Sequence, residues 1–487
     1  MVQKNRPSLS KNIIYNLILT FSGYLFPILT FPYVTRVLGP DTYGAANFVL
    51  SMVDYAVMLS SLGISAIGIR EIAKCGGDEN KLSSVFSSLL SLHIVLAAIV
   101  GVVYFAAIFL VEQFRENYAL YLVGFIKIVA NVFLIEWLYS GLQNFRYITL
   151  RTIAVKALYV VAIFVFVKSE SDILPYILTT VSLLFVNALI NWWYSSNFVR
   201  FRFSLSGVRN YLAPSFSMGM TSILLSFYST FIVLYLGFVC GSVSVGYYST
   251  SIKLYAIFLS LLGAFNSGLM PYVNSLFGSG GKEAIKETIS KSLNLVMMVA
   301  VPTAVFGILM ANEIINVVAG AQYQNSILPF RIIILNVILV GLSQVTELQV
   351  LLTLNKTRQI LFTTAVSVIF SVTIMLLFAS KYGEIAAACA VTIPHVLETS
   401  LLYFFARRAI NFRFPWKPVA LYLLLSTGIV VMVFLTKRYI ENIYIRLLSS
   451  SAIVVVLYVS SLFAVKDQMV LALWQKGKEV LRKFSRQ

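Results

Sequence analysis

Several ionisable side chains stand inside long apolar runs: Asp54, His93, Lys127, Glu136, Lys156, Lys253, Glu347, His395 and Glu398. A charge at the centre of a bilayer costs roughly 2.5–3.5 kcal/mol on insertion scales, so each should face a cavity or a partner. Lys127 lies deep in its run. It is either a cationic contact for an anionic head group or half of an ion pair with Asp54 or Glu398. Asp54 is either a proton or cation carrier or the partner of Lys127. Lys253 stands close to one end of its run, where snorkelling to the interface competes with a substrate contact. His395 and Glu398 are three residues apart and share a helix face, just beyond Pro394. A histidine titrates near neutral pH, which suits proton coupling. The alternative is a satisfied polar patch between helices. No GxxxxGK[ST] phosphate loop, HExxH, DxD or GxSxG occurs, so the chain is expected to be no enzyme, to hold no metal or resident cofactor, and to couple to protons or sodium if to anything.

The elements that must carry these groups are helices in a membrane. Of 487 residues, 59% are hydrophobic and 11% charged, and the mean hydropathy is +0.86. A soluble domain has about 45–50% apolar and 25% charged residues. Apolar runs long enough to cross a core of about 30 Å recur from end to end, about fourteen of them. The first, over 12–35, is too long for a signal peptide. The fifth, over 150–167, is short and carries Lys156. The net charge of +18 is concentrated in alternate connections, for example Arg70, Lys74 and Lys81, then Arg200, Arg202 and Arg209, then Arg407, Arg408, Arg413 and Lys417. The positive-inside rule then places both termini in the cytoplasm. Nucleic-acid binding would need a clustered basic face on a folded domain, and the pattern offers none. Cys75, Cys240 and Cys389 suggest neither a disulfide framework nor a metal site. The tail after Asp467 reads as an amphipathic helix on the inner leaflet, and the linker FVRFRFSLSGVRNYL from Phe198 has a similar character.

An internal repeat organises the runs. Gly39 and Gly44 are five apart, as are Gly241 and Gly246, at an offset of 202 residues. CGGDENKLSSVFSSL from Cys75 aligns with SGGKEAIKETISKSL from Ser279 at an offset of 204. The expected fold is an all-α integral membrane protein. Two six-helix lobes, 1–205 and 206–410, would be related by a pseudo-twofold axis along the membrane normal. Residues 411–487 would add two spans and the tail.

The stretch FPYVTRVLGPDTYGAANFVLSMVDYAVMLSSLGISAIGIREIAK, from Phe31 to Lys74, resembles the N-terminal signature of bacterial polysaccharide-unit flippases. These Wzx-type transporters are relatives of the lipid II flippase and the multidrug-and-toxin extruders. Their R-x-LG…YG turn corresponds here to Arg36, Leu38, Gly39, Tyr43 and Gly44, followed by the basic Arg70 and Lys74. GLMPYVNSLFGSGG, from Gly268, resembles the matching end of the eighth span. The resemblance implies a two-lobed alternating-access transporter in a bacterial plasma membrane. It would carry an undecaprenyl-diphosphate-linked oligosaccharide from the inner to the outer leaflet for O-antigen, capsule or exopolysaccharide synthesis. Its partners would be that lipid-linked substrate, the membrane, and a polysaccharide polymerase with its chain-length machinery. Two alternatives stay open: a cation-coupled multidrug exporter on the same fold, and a membrane polysaccharide polymerase or ligase.

Overall fold

The computed structural model describes residues 9–205, 207–278, 282–467, 469–471 and 474. Among them the regular elements are all helical, and two compact units form: Met1–Ser249 with Met375–Gly383, and Thr250–Ile374 with Glu384–Gln487. The first unit holds α1 (Leu9–Ser61), α2 (Ile64–Lys74), α3 (Glu79–Leu110), α4 (Glu112–Arg115), α5 (Tyr118–Phe133), α6 (Glu136–Gly141), α7 (Phe145–Phe166), α8 (Ile173–Ser195), α9 (Val208–Ser226) and the start of α10 (Thr230–Gly278). The second holds the rest of α10, then α11 (Lys282–Leu309), α12 (Ala311–Val318), α13 (Ile327–Ile333), α14 (Asn336–Gln344), most of α15 (Thr357–Ala409), α16 (Trp416–Tyr439) and α17 (Ile443–Ala464). A π-helical stretch, Val345–Leu352, continues α14.

Among the described residues, 11 helical segments are long and apolar enough to cross a membrane. Their outward side chains are apolar as well: Leu110 is 83% exposed and Val102 71%. Water would not tolerate so many bare aliphatic groups, but lipid tails do. The chain is thus a multi-pass membrane protein. Three helices change direction inside, at Gly39 in α1 (φ 71°, ψ 172°), Gly241 in α10 (φ 81°, ψ 178°) and Gly383 in α15 (φ 52°, ψ −126°). The conformation at Gly39 and Gly241 is open essentially to glycine alone. These two are the residues that the repeat pairs at an offset of 202, and the backbone treats them alike. The short fifth run is an unbroken helix of 22 residues, α7, through Lys156.

In the first unit α5 packs along α8 and α1, and α1 also meets α7 and α3. In the second, α11 lies against α16 and α14, and α16 against α17. Gly124 of α5 explains one close approach. A methyl there would stand 2.5 Å from Cγ2 of Val53, so only a residue without a side chain lets α5 come this near α1.

The linker after α8 is not helical. Residues 199–205 run extended beside α3, and helix resumes at Val208. Serines at every fourth position of α3 pair with backbone N–H groups at every second position of the linker. Arg200 donates to Ser83 Oγ (3.1 Å), Arg202 to Ser87 Oγ (3.0 Å) and Ser204 to Ser91 Oγ (3.1 Å). Ser87 also donates to the Arg200 carbonyl (3.3 Å). The geometry matches because four helical residues rise about 6 Å and two extended residues about 6.6 Å. The sequence agrees: Phe201, Phe203 and Leu205 alternate with Arg202 and Ser204, a period of two rather than 3.6. Phe201 lands edge-on against Phe86 and Trp192. Most of the expected tail helix lies outside the described residues. At its start the Asp467 carboxylate accepts the N–H groups of Met469 and Val470, as an N-cap does.

Ser87→Ala removes two of the linker's hydrogen bonds, each worth about 1 kcal/mol. It should lower the melting temperature of the detergent-purified protein and speed amide exchange at Arg202. Ser196→Ala, whose hydroxyl bonds only the local Trp193 carbonyl, should do neither. Differential scanning fluorimetry and hydrogen exchange check both.

Candidate functional site

In the first unit α1 and α5 each carry a charge inside a long apolar run, and the structure joins the two. Lys127 Nζ stands 2.5 Å from Asp54 Oδ1. The cause is the α1–α5 contact at Gly124 and Val53: Lys127 is three residues after the one and Asp54 next to the other. The pair is open on one side, with the Asp54 side chain 48% exposed and that of Lys127 19%. It therefore presents charge at a surface while each partner limits the other's cost.

A second polar cluster ties α6, α7 and α8 together. Arg151 bonds Glu136 and Asn191, Tyr139 donates to the Asn191 carbonyl, and Asn191 donates to the Leu134 carbonyl. Tyr147 reaches the Asn191 side chain at 3.0 Å. Arg151, which by position reads as a loop charge, is in fact a buried residue of α7. Lys156, further along α7, contacts Ser22 Oγ at 3.4 Å and lies within electrostatic reach of Glu136. The interior of this unit thus carries Lys127, Arg151 and Lys156 beside Asp54 and Glu136. That balance leans cationic and suits an anionic group better than a cation.

The remaining candidates belong to the second unit. Glu398 accepts from Thr364 (3.0 Å) and lies within electrostatic reach of Glu347, which sits in the π-helical stretch. Such widened turns are frequent at functional positions. His395 Nδ1 is 2.6 Å from the Val391 carbonyl, one turn back along its own helix. Lys253 is an exposed residue of α10. The structure thus joins Asp54 to Lys127, and it places Glu398, His395 and Lys253 in the other compact unit. The turn residue Arg36 is exposed, while Gly39 and Gly44 are buried. Arg70 pairs with Glu71 (3.0 Å), which also holds Lys74 (2.9 Å).

Sequence reasoning missed Glu313, whose loop reads as mostly uncharged. Its carboxylate is buried, 1% exposed, between Lys437 (3.2 Å) and Arg446 (3.3 Å). Together they fasten α12 to α16 and α17. The available signal was the coincidence of one acid and several bases in connections expected on the same side of the membrane. Among the described residues, no cluster of His, Cys, Asp and Glu has the makings of a metal site.

Exposure separates the pairs, and this is testable. Arg151→Met or Glu313→Gln breaks a buried arrangement, a loss of up to about 3–5 kcal/mol when one partner is stranded. Both should cut the yield of folded protein and lower its melting temperature. Asp54→Asn, which removes a half-exposed carboxylate, should cost less than either. Size-exclusion yield and thermal melts compare the three.

A family profile described as "Polysaccharide biosynthesis protein" matches residues 9–277. A relative from Escherichia coli (strain K12) named "Putative O-antigen transporter" is 27% identical over 407 residues, 83% of this chain and 98% of its own length. A Shigella dysenteriae protein of the same name is 24% identical over 277 residues, 55% of this chain and 68% of that one. Among solved structures, "Lipid II flippase MurJ, inward closed conformation" superposes with a TM-score of 0.76 at 15% identity, covering 94% of this chain and 99% of the other. An inward-facing multidrug resistance MATE family transporter of the MOP superfamily gives 0.63 at 14% identity, covering 82% and 98%. The fold is shared with these transporters.

Proposed function

Because this chain belongs to the polysaccharide biosynthesis protein family, we propose that it is a flippase for a lipid-linked oligosaccharide repeat unit. The substrate is an undecaprenyl-diphosphate-linked saccharide. It moves by alternating access from the cytoplasmic to the periplasmic leaflet of a bacterial inner membrane, and both termini lie in the cytoplasm. A periplasmic polymerase and its chain-length machinery then consume the product. The role is transport, with no bond made or broken. The observation that carries this reading is the half-exposed Asp54–Lys127 pair within an apolar span. A diphosphate with its sugars cannot enter hydrocarbon unaided. An ammonium that exchanges Asp54 for a phosphate oxygen offers it a partner without ever being left bare. The lipid tail meanwhile stays in the bilayer, where it needs nothing from the protein. The name of the Escherichia coli relative, aligned over nearly its whole length, and the fold shared with a lipid II flippase point the same way.

The carboxylates Glu347 and Glu398 of the second unit are our candidates for energy coupling, with His395 close by in sequence. Two carboxylates within electrostatic reach of one another offer a cation a shared pair of acceptors.

In a deletion strain, lipid-linked oligosaccharide should accumulate on the inner leaflet and return to the outer leaflet when the chain is supplied. Lys127→Ala should reduce delivery at least tenfold at equal protein level, and Lys127→Arg should restore much of it. If the loaded lipid reaches the outer leaflet without the chain but stays unpolymerised, the role lies downstream of transport.

Glu398→Gln should abolish the response of transport to an imposed proton or sodium gradient while leaving gradient-independent exchange measurable. Flux in vesicles with each gradient imposed in turn reads the difference.

A further inference from the structure

The linker after α8 grips α3 with its backbone, and that leaves its arginine side chains for something else. The N–H groups of Arg200 and Arg202 are taken by Ser83 and Ser87, while both side chains are exposed. The ion pairs of the first unit at Asp54, Glu71 and Glu136 involve neither arginine. In an extended segment the two stand on one side, about 6.6 Å apart. Lys81, two residues before Ser83, and Arg209, in the first turn of α9, are exposed as well. Of the neighbouring acids, Asp78 is taken up in capping α3, and Glu79 follows it. The other side of the segment is apolar. Phe201 is held by Phe86 and Trp192, but Phe203 and Leu205 beyond it are exposed, as is Trp193 near the end of α8.

Helix length places this strap in depth. The 32 residues of α3 rise about 48 Å, against a hydrocarbon core of about 30 Å. With the exposed apolar end at Leu110 on the outer side, the surplus falls at the start of α3, where Ser83 and Ser87 hold the linker. That surplus lies in the head-group layer, and the positive-inside reading makes it the inner one. The second unit repeats the device with other residues. Ser290 of α11 donates to the Arg413 carbonyl (3.0 Å), as Ser87 of α3 does to that of Arg200. Phe412 is buried there, and Arg413, Trp416 and Lys417 are exposed.

We propose that the strap of residues 199–205 is a binding site for the head groups of anionic phospholipids of the inner leaflet. Arg200 and Arg202 take the lipid phosphates, each guanidinium presenting two parallel donors. Phe203 and Leu205 sit at the boundary with the acyl chains, as interfacial apolar residues do. The charge complementarity is direct, because that leaflet is negative and each base near it adds to the attraction. Fixing the backbone to α3 pre-arranges the two bases, so little freedom is lost when lipid binds.

The test needs no transport, so its outcome is independent of the flippase reading. The full chain, stripped of lipid in a neutral detergent, is titrated with phosphatidylglycerol or phosphatidylcholine, and bound lipid is counted by native mass spectrometry. Phosphatidylglycerol should bind in preference. Arg200→Gln with Arg202→Gln should raise its half-saturating concentration at least about tenfold, as loss of two surface bases implies. Glutamine keeps the N–H groups that Ser83 and Ser87 accept. Arg146→Gln with Arg358→Gln removes the same charge from exposed positions elsewhere and should have little effect. Where the first pair fails to fold, Arg202→Gln alone should weaken binding about threefold or more. Equal losses in the two double variants would leave only the bulk attraction of a basic protein and overturn the site. Unchanged binding in either strap variant, or displacement of the lipid by inorganic phosphate at equal concentration, would overturn it too.

Discussion

Hydrocarbon offers no partner to a lone charge or a bare N–H group, and the polar interior of this chain is arranged by that constraint. Lys127 holds Asp54, Arg151 holds Glu136 and Asn191, and Lys437 with Arg446 hold Glu313, each within a single unit. Even the linker after α8 follows the rule. Leaving α8 without helix would strand its amides at the membrane edge, and the serines of α3 supply the missing acceptors one by one.

Satisfying a charge and using it are different things, and exposure divides them. Glu313 is sealed at 1% exposed, and Arg151 is buried at 4% beside a Glu136 that is 43% exposed. Their pairs fix helices in place, α6 to α8 in one case and α12 to α16 and α17 in the other. Asp54 is nearly half open. A carboxylate held by a lysine yet open on one side is a group that a competing anion can displace, whereas a sealed one is not.

Much of this was legible in the sequence. Composition and run length alone give a multi-pass helical protein, because twenty apolar residues in a row have no stable place in water. The equivalence of Gly39 and Gly241 was readable from spacing, and the matching backbone angles bear it out. What the sequence left open was partnership. Lys127 had two candidate acids, and the choice depended on Gly124 allowing α5 to approach α1. Arg151 looked like a loop charge because hydropathy cannot tell a residue that marks a helix end from one buried a turn inside it. Glu313 escaped notice because its two bases lie more than a hundred residues away. The linker looked amphipathic in the helical sense, although its alternation has period two and its partners are serines on another element.

Movement of an intact lipid-linked saccharide between leaflets is tested most directly with purified protein in vesicles. These carry a fluorescent polyprenyl-diphosphate oligosaccharide, and an impermeant quencher is added outside. The protein should expose the protected half of the probe well ahead of empty vesicles, and the recovered lipid should be chemically unchanged. A probe that stays protected while the same vesicles accumulate or expel small organic cations would contradict the flippase reading.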